Sequence, residues 1–332
     1  MEAYIKAISY YLPEKVVTNE QLIEEFPEWS VEKIAKKVGI NERHIAADDE
    51  TAGDMAFKAA EKLIAENNVD KAEIDFVLLC TQSPDYFLPS TSCIIQNRLG
   101  LPTKCGAFDF NLGCSGYEYG LAVAKGFIMS GVAKNILLLT AETYNKHIHP
   151  KDKGNRTIFG DGASASLIST DGFSKIGEFV LGSDGSGYDR LIHKTGAMRH
   201  YQPMNDFHED ENGTLLSSDH LFMDGKAIFD FTSDIVPPMI DETLKKNNLT
   251  SEDVDLYVFH QANKYMINYL RKLMEIEKDK FYVFMETVGN TVSSTIPIAL
   301  CEAQKEGRLH GNVVLAGFGV GLSYGATIIK VD

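Results

Sequence analysis

Three residues far apart in this chain, Cys114, His260 and Asn290, have side chains that together support thiol-based acyl chemistry. Cys114 stands in Asn111-Leu112-Gly113-Cys114-Ser115-Gly116, a glycine turn running into an apolar, helix-like stretch. A thiol at a helix N-terminus meets free N–H groups and the positive end of the macrodipole, surroundings that favour a thiolate. The same position also suits a small buried cysteine that does no chemistry. His260 directly follows the apolar run 254–259, which predicts an imidazole at the carboxyl edge of a sheet, and histidine is the usual base for an acyl-transfer thiol. Asn290 lies in Thr287-Val288-Gly289-Asn290-Thr291-Val292, a second glycine turn before an apolar stretch. Asparagine commonly caps a helix there, and its amide also donates to a substrate oxygen without titrating.

The two glycine-led segments superimpose with Cys114 on Asn290, an offset of 176 that also carries Leu137-Leu138-Leu139-Thr140 onto Val313-Val314-Leu315-Ala316. An offset of 180 carries Ile74-Asp75-Phe76-Val77-Leu78 onto Val254-Asp255-Leu256-Tyr257-Val258. The chain therefore reads as two duplicated halves, 1–172 with the nucleophile and 173–332 with His260 and Asn290. Equivalent helix N-termini facing one another across a pseudo-twofold axis would bring the cysteine and the asparagine into one site. Short buried-type strands alternate with amphipathic helices, such as the one capped by Thr51 and carrying Met55, Ala56, Ala59, Ala60, Leu63 and Ile64. That alternation predicts an α/β fold with a largely parallel sheet. Residues 159–169 and 318–330 each join a glycine turn to a strand and close the two halves alike. Between 182 and 225 the pattern weakens, which predicts surface loop or an extra layer. His147, His149, His193, His200, His208 and His220 lie in polar context and are expected to be solvated.

A chain of 332 residues with 44% hydrophobic content can bury a large core, and a net charge of −15 argues against nucleic acid as a partner. The N-terminus lacks a signal-peptide pattern and no apolar run reaches the roughly 18 residues that cross a bilayer, so a cytoplasmic protein without membrane contact is expected. Five cysteines, Cys80, Cys93, Cys105, Cys114 and Cys301, are an odd number without C-x-x-C spacing, which speaks against a disulfide framework and against a metal site. Gly317-Phe318-Gly319-Val320-Gly321 imitates a dinucleotide fingerprint, but no helix and ribose-binding acid have room to follow it. It reads instead as a turn offering backbone N–H groups to an oxyanion.

Taken together, Gly113-Cys114-Ser115-Gly116, Phe159-Gly160-Asp161-Gly162-Ala163, His260-Gln261-Ala262-Asn263, Gly289-Asn290-Thr291 and Phe318-Gly319-Val320-Gly321 resemble the thiolase superfamily, most closely ketoacyl-ACP synthase III. Gly39-Ile40-Asn41-Glu42-Arg43-His44-Ile45-Ala46 and Pro89-Ser90 agree, so the resemblance spans nearly the whole chain. It implies a thiolase-like five-layered αβαβα fold and a homodimer. It makes Cys114 the acyl-accepting nucleophile, His260 and Asn290 the decarboxylation and condensation pair, and the backbone N–H groups of Cys114 and Val320 the oxyanion hole. Phe318 would wall the acyl pocket, and Leu88 sits where the family places a partner-subunit residue at the end of the acyl tunnel. The implied substrates are an acyl-CoA or acyl-carrier thioester and malonyl-ACP or malonyl-CoA, the product is a 3-oxoacyl thioester, and no cofactor is required.

Several positions depart from the family's pattern. Its CoA-contacting arginines appear as Lys37 and Lys153, which keep charge but lose bidentate geometry. Its Gln-Ala-Asn-x-Arg reads Gln261-Ala262-Asn263-Lys264-Tyr265, and Lys264, Arg271 and Lys272 offer a basic face for a carrier protein. Trp29 lies four residues from the register of the family's adenine-stacking tryptophan. Within the superfamily, Gly317–Gly325 lacks the second cysteine of thiolases, and Thr81-Gln82-Ser83-Pro84 lacks the glutamate of hydroxymethylglutaryl-CoA synthase. An acyltransferase that moves the Cys114-bound acyl group to another O, N or C nucleophile would retain all three side chains. A non-catalytic carrier-binding subunit would be expected to lose Cys114, and the duplication argues against a papain-like hydrolase.

Overall fold

The buried apolar runs of the chain become ten strands hydrogen-bonded edge to edge. Their order is Phe281–Tyr282, Leu256–Phe259, Gly311–Gly319, Ser323–Val331, Ser174–Ser183, Tyr4–Tyr11, Gly162–Ser169, Ile136–Glu142, Phe76–Cys80 and Gly106–Phe110. The computed structural model describes residues 2–210 and 213–332. Read outward from the centre, each half of the sheet uses its own strands in the order first, fifth, fourth, second, third. Within the ten-stranded sheet the two sets of strands join through a short antiparallel pairing, Tyr4 opposite Lys175 and Ile5 opposite Ser174.

Each half is mixed rather than largely parallel. Phe76–Cys80 runs parallel to both Gly106–Phe110 and Ile136–Glu142, whereas Gly162–Ser169 pairs antiparallel with Ile136–Glu142 and Tyr4–Tyr11. The second half repeats this pattern. The reason is local in the second half, where Gly311–Gly319 and Ser323–Val331 are joined by a tight turn, and a turn that short permits only antiparallel pairing.

Alternation along the strands sorts the core into three clusters and so defines the layers. Val77, Leu79, Leu137 and Leu139 face outward against Met55, Ala56, Ala59, Ala60 and Leu63 of the Ala52–Glu66 helix. Leu78, Ile136 and Leu138 face inward, as do Leu256, Val258, Val313 and Leu315, and enclose the Gly116–Met129 and Thr295–Lys305 helices. Tyr257, Phe259, Val314 and Ala316 face the other outer layer, made by Gly225–Lys246 and Lys264–Leu273. The result is the five-layered αβαβα thiolase-like arrangement.

The internal repeat needs one correction. Leu78 pairs with Leu138, and its counterpart Val258 pairs with Leu315, so the true offset for this strand is 177 rather than 176. A slip of one residue matters because it turns every side chain to the opposite face. Thr51 does cap its helix, in a reciprocal capping box with Asp54. Among the described residues no helix is long and apolar enough to cross a membrane.

Candidate active site

Cys114, His260, Asn290 and Phe318 line one pocket, together with Ile158, Phe159, Leu191, Met223, Ile228, Ala262, Asn263, Met266 and Gly319. Cys114 stands two residues before the Gly116–Met129 helix, in a turn closed by the Gly116 N–H donating to the Gly113 carbonyl at 2.8 Å. The backbone N–H groups of Val320 and of Cys114 itself act on the thiol and lower its pKa, yet burial outweighs them and pushes it up to about 12. The resting group is therefore a thiol, not the thiolate its helix position predicts, because the enclosed site disfavours an unpaired charge. Gly319 has to be glycine: a Cβ there would sit 2.8 Å from Cys114 Sγ.

His260 follows the Leu256–Phe259 strand, with its N–H donating to the Ala316 carbonyl at 2.8 Å and its ring edge-on to Phe318. Burial holds its imidazole down at about 3, so it is neutral near pH 7. Nδ1 lies 2.7 Å from Thr295 Oγ1, which in turn lies 3.0 Å from the Val292 carbonyl. The one hydroxyl proton of Thr295 has two uses. Given to Val292, it makes Oγ1 an acceptor for Nδ1–H and leaves Nε2 a base; given to Nδ1, it leaves Nε2–H a donor.

Asn290 is anchored by its backbone N–H to the Ile158 carbonyl at 2.9 Å, while its own carbonyl accepts from Gly160 N–H at 3.0 Å. Its Oδ1 accepts from Val292 N–H at 2.9 Å and its Nδ2 donates to the Ala262 carbonyl at 3.3 Å, leaving the second amide hydrogen for a ligand. Val292 has φ +55, a conformation unfavourable for a β-branched residue and supported by that Asn290 contact. Gly160 packs so tightly on the Val288 carbonyl that a Cβ would approach it to 2.3 Å, and Asp161 ties the same loop to Ala46 N–H and Asn145. Arg43, fully buried, donates to the Val17 and Thr157 carbonyls and to Asn19 Oδ1 behind it.

The remaining expected site residues fall in different places. Leu88 is 82% exposed beside Tyr86 and Phe87 and does not line this chain's own pocket. Lys37 ends the Val31–Lys37 helix, where it and Lys33 flank the Trp29 ring at 5.9 and 5.2 Å. Lys153 is paired with Glu28 at 2.7 Å, next to the same tryptophan. Lys264 adjoins the pocket-lining Asn263, and its N–H donates to the Val38 carbonyl. Arg271 is occupied internally, donating to the Ile276 carbonyl at 2.7 Å, whereas Lys272 is exposed.

Sequence reasoning missed the pocket's roof. Leu191–Ile192 pairs antiparallel with Phe222–Met223, so the weakly patterned stretch 182–225 contributes Leu191 and Met223 to the site. The signal was two apolar pairs inside a polar segment. His147 and His193 are not solvated as expected: their Nδ1 atoms lie 3.1 Å apart, and burial holds His147 down at about 4. Glu118, in the first turn of the Gly116–Met129 helix, is fully buried with neither carboxyl oxygen hydrogen-bonded, and burial raises its pKa well above the ordinary 4.5.

Two family models match the chain, 3-oxoacyl-[acyl-carrier-protein] synthase III over residues 108–185 and the C-terminal part of the same family over 244–331. A beta-ketoacyl-[acyl-carrier-protein] synthase III of Clostridium perfringens is 38% identical over 324 residues, covering 97% of each chain. A crystal structure of a 3-oxoacyl-(acyl-carrier-protein) synthase III superimposes with a TM-score of 0.97 at 46% identity, covering 99% of this chain and 100% of the other. The synthase III of Thermus thermophilus gives a TM-score of 0.88 at 34% identity, covering 99% of both.

Proposed function

The chain belongs to the 3-oxoacyl-[acyl-carrier-protein] synthase III family, and from that membership and the pocket's geometry we propose how its residues carry out the condensing reaction. The enzyme is an acyltransferase that condenses an acyl thioester with a malonyl thioester. The observation that carries the residue assignment is convergence: Cys114, His260 and Asn290 arrive from two halves of the chain at one pocket, with the Val320 N–H on the thiol.

In the first half-reaction the Cys114 sulfur attacks the acyl carbonyl, forming the new thioester and releasing the donor thiol. Because the resting group is a protonated thiol, its proton has to leave as the bond forms; the neutral imidazole of His260 in its Nε2-base tautomer takes it and passes it to the departing donor sulfur, which leaves as the thiol, and His260 is neutral again. The N–H groups of Cys114 and Val320 hold the carbonyl oxygen as it gains charge. In the second half, the malonyl thioester carbonyl accepts from Asn290 Nδ2 and from His260 Nε2–H. Loss of carbon dioxide leaves its electron pair as an enolate, which attacks the acyl-cysteine carbon; the Cys114–acyl bond breaks with its electron pair on sulfur, the 3-oxoacyl thioester departs, and the sulfur takes up a proton from water to restore the resting thiol. The Thr295 hydroxyl supports both tautomers that this sequence asks of His260.

We further infer a homodimer joined in part through the exposed Tyr86, Phe87 and Leu88, with Leu88 reaching the acyl end of the partner's pocket. The halves divide at 172/173 in this reading. Lys37, Lys153 and Lys264 serve the phosphates of a CoA or carrier thioester, and the reaction needs no cofactor. Five free thiols fit a cytoplasmic place of work. The test is intact-protein mass spectrometry after incubation with acyl-CoA, then addition of a malonyl thioester. An acyl adduct on Cys114 that is discharged to a 3-oxoacyl product supports the assignment; an adduct that maps elsewhere, or survives in Cys114→Ala, overturns it.

A further inference from the structure

The Gly116–Met129 helix begins at Ser115, a residue type that ordinarily caps a helix by accepting from its first free N–H groups, yet the Ser115 side chain makes no cap bond. Its hydroxyl crosses to the other half of the chain instead, where Ser115 Oγ lies 2.7 Å from Ser323 Oγ. The Ser323 hydroxyl donates to the Val320 carbonyl at 2.8 Å. A hydroxyl has one hydrogen, so with that of Ser323 given to Val320, the bond between the serines is donated by Ser115. Both serines are buried. The bonds therefore run in one direction, from the residue after Cys114 to the residue whose N–H acts on the Cys114 thiol.

Packing and hydrogen bonding fix different things here. A Cβ on Gly317 would meet the Cys114 carbonyl oxygen at 2.6 Å, and one on Gly113 would meet Val320 Cγ1 at 2.4 Å, so the two turns are pressed together without slack. Such contacts set a separation but have no direction. The orientation of a peptide group is set by bonds that do, and they prefer an angle above about 150°. Leu322, on the far side of the turn, exchanges N–H to carbonyl bonds with Asp184 at 2.8 and 3.1 Å, while Val320 is held by the Ser323 hydroxyl. The repeat does the same on its other side. Ser294, before the Thr295–Lys305 helix, also makes no cap bond, and its Oγ lies 2.7 Å from Thr140 Oγ1 in the first half.

Resting on the synthase reading above, we infer that Ser115 and Ser323 are positioning residues for the oxyanion hole: their hydroxyls tie the two halves together so that the Val320 N–H and the Cys114 N–H meet the same substrate oxygen. They act through Val320 rather than on the substrate.

The test compares two reactions of one sulfur. Acylation by an acyl-CoA builds negative charge on a carbonyl oxygen and needs the hole; alkylation by iodoacetamide forms the sulfur–carbon bond as iodide leaves, and no oxyanion develops. Both are followed at Cys114 by peptide mass spectrometry, with whichever of acetyl-, butyryl- and octanoyl-CoA the wild-type enzyme accepts fastest. Ser323→Ala is expected to slow acylation about 10–100-fold, while alkylation falls by no more than about threefold. Ser115→Ala leaves the Ser323–Val320 bond in place, so it is expected to slow acylation less and to add nothing in the Ser323→Ala background. Acylation within about threefold of wild type in folded Ser323→Ala, equal loss of both reactions, or losses that multiply in the double variant overturns the inference. If Ser323→Ala does not fold, Ser115→Ala is the reporter, and an unchanged acylation-to-alkylation ratio overturns it. Absence of an acyl adduct on wild-type Cys114 from all three donors would instead overturn the synthase reading.

Discussion

In the proposed mechanism, replacing Asn290 by alanine removes two separable functions. The first is structural: Oδ1 accepts from Val292 N–H at 2.9 Å and holds a valine at φ +55, in a site where Asn290 is 4% exposed and Val292 fully buried. Stranding a buried N–H costs about 1–3 kcal/mol, so the urea midpoint of Asn290→Ala should fall by that equivalent. The second is chemical. The free amide hydrogen faces the pocket, and loss of one preorganised donor to a developing oxyanion lowers a rate constant by about 10²–10³, or about 2.7–4 kcal/mol. That loss should appear only where the enolate forms. Decarboxylation of a malonyl thioester by pre-acylated enzyme should drop by this factor, while acyl uptake stays within about threefold of wild type. Asn290→Asp separates the two functions, because it offers Val292 an acceptor of the same shape and removes the donor. The reasoning is refuted if Asn290→Asp decarboxylates within tenfold of wild type, or if acyl uptake falls as steeply as decarboxylation in both variants.

His260, held at about 3 by burial, stays neutral from pH 8 to pH 5, so decarboxylation by pre-acylated enzyme should show no acid limb near 6.5; such a limb, absent from His260→Gln, would contradict its enclosed state. Glu118 has a folded pKa raised by burial, so its contribution to stability is complete below 4.5 and is lost as pH rises toward the raised value. Glu118→Gln should therefore gain on wild type as pH rises from 4 to 8, read from urea midpoints at both ends of that range, and a difference that is the same at pH 4 and pH 8 would show that the carboxyl is not enclosed. Lys264→Glu with Lys272→Glu should raise the KM for a carrier-bound malonyl thioester several-fold at low salt and less at high salt, whereas unchanged KM would move the docking face elsewhere. Arg271→Ala is expected to act differently: its guanidinium closes the helix end on Ile276, so loss of about 1.5–3 kcal/mol of stability should exceed any effect on docking, which activity and denaturation curves taken together would show.

What could be read in the chain followed from signals that are local. Glycine turns ahead of apolar stretches marked Cys114 and Asn290, an apolar run ended at His260, and a repeated order of elements gave the two halves and the layered α/β fold. The layered α/β fold survives because turn chemistry and hydrophobic period depend on neighbours within a few residues. The tertiary structure decided what depends on distant packing. It set the repeat of the Ile136–Glu142 strand at 177 rather than 176, since only sheet pairing shows which side chains face the central helices. It brought Leu191 and Met223 over the site through a two-residue ladder too short to leave a period. It turned Arg271 inward, paired His147 with His193, and joined Tyr144 to Gln82 across 62 positions. It also reversed the expected charge of Cys114. A helix N-terminus is visible in sequence and favours a thiolate, but the burial that pushes Cys114 up to about 12 is a property of the assembled walls. Residue types and local turns thus selected the chemistry, while the protonation of each group and the space left for substrate were fixed only when both halves closed around the pocket.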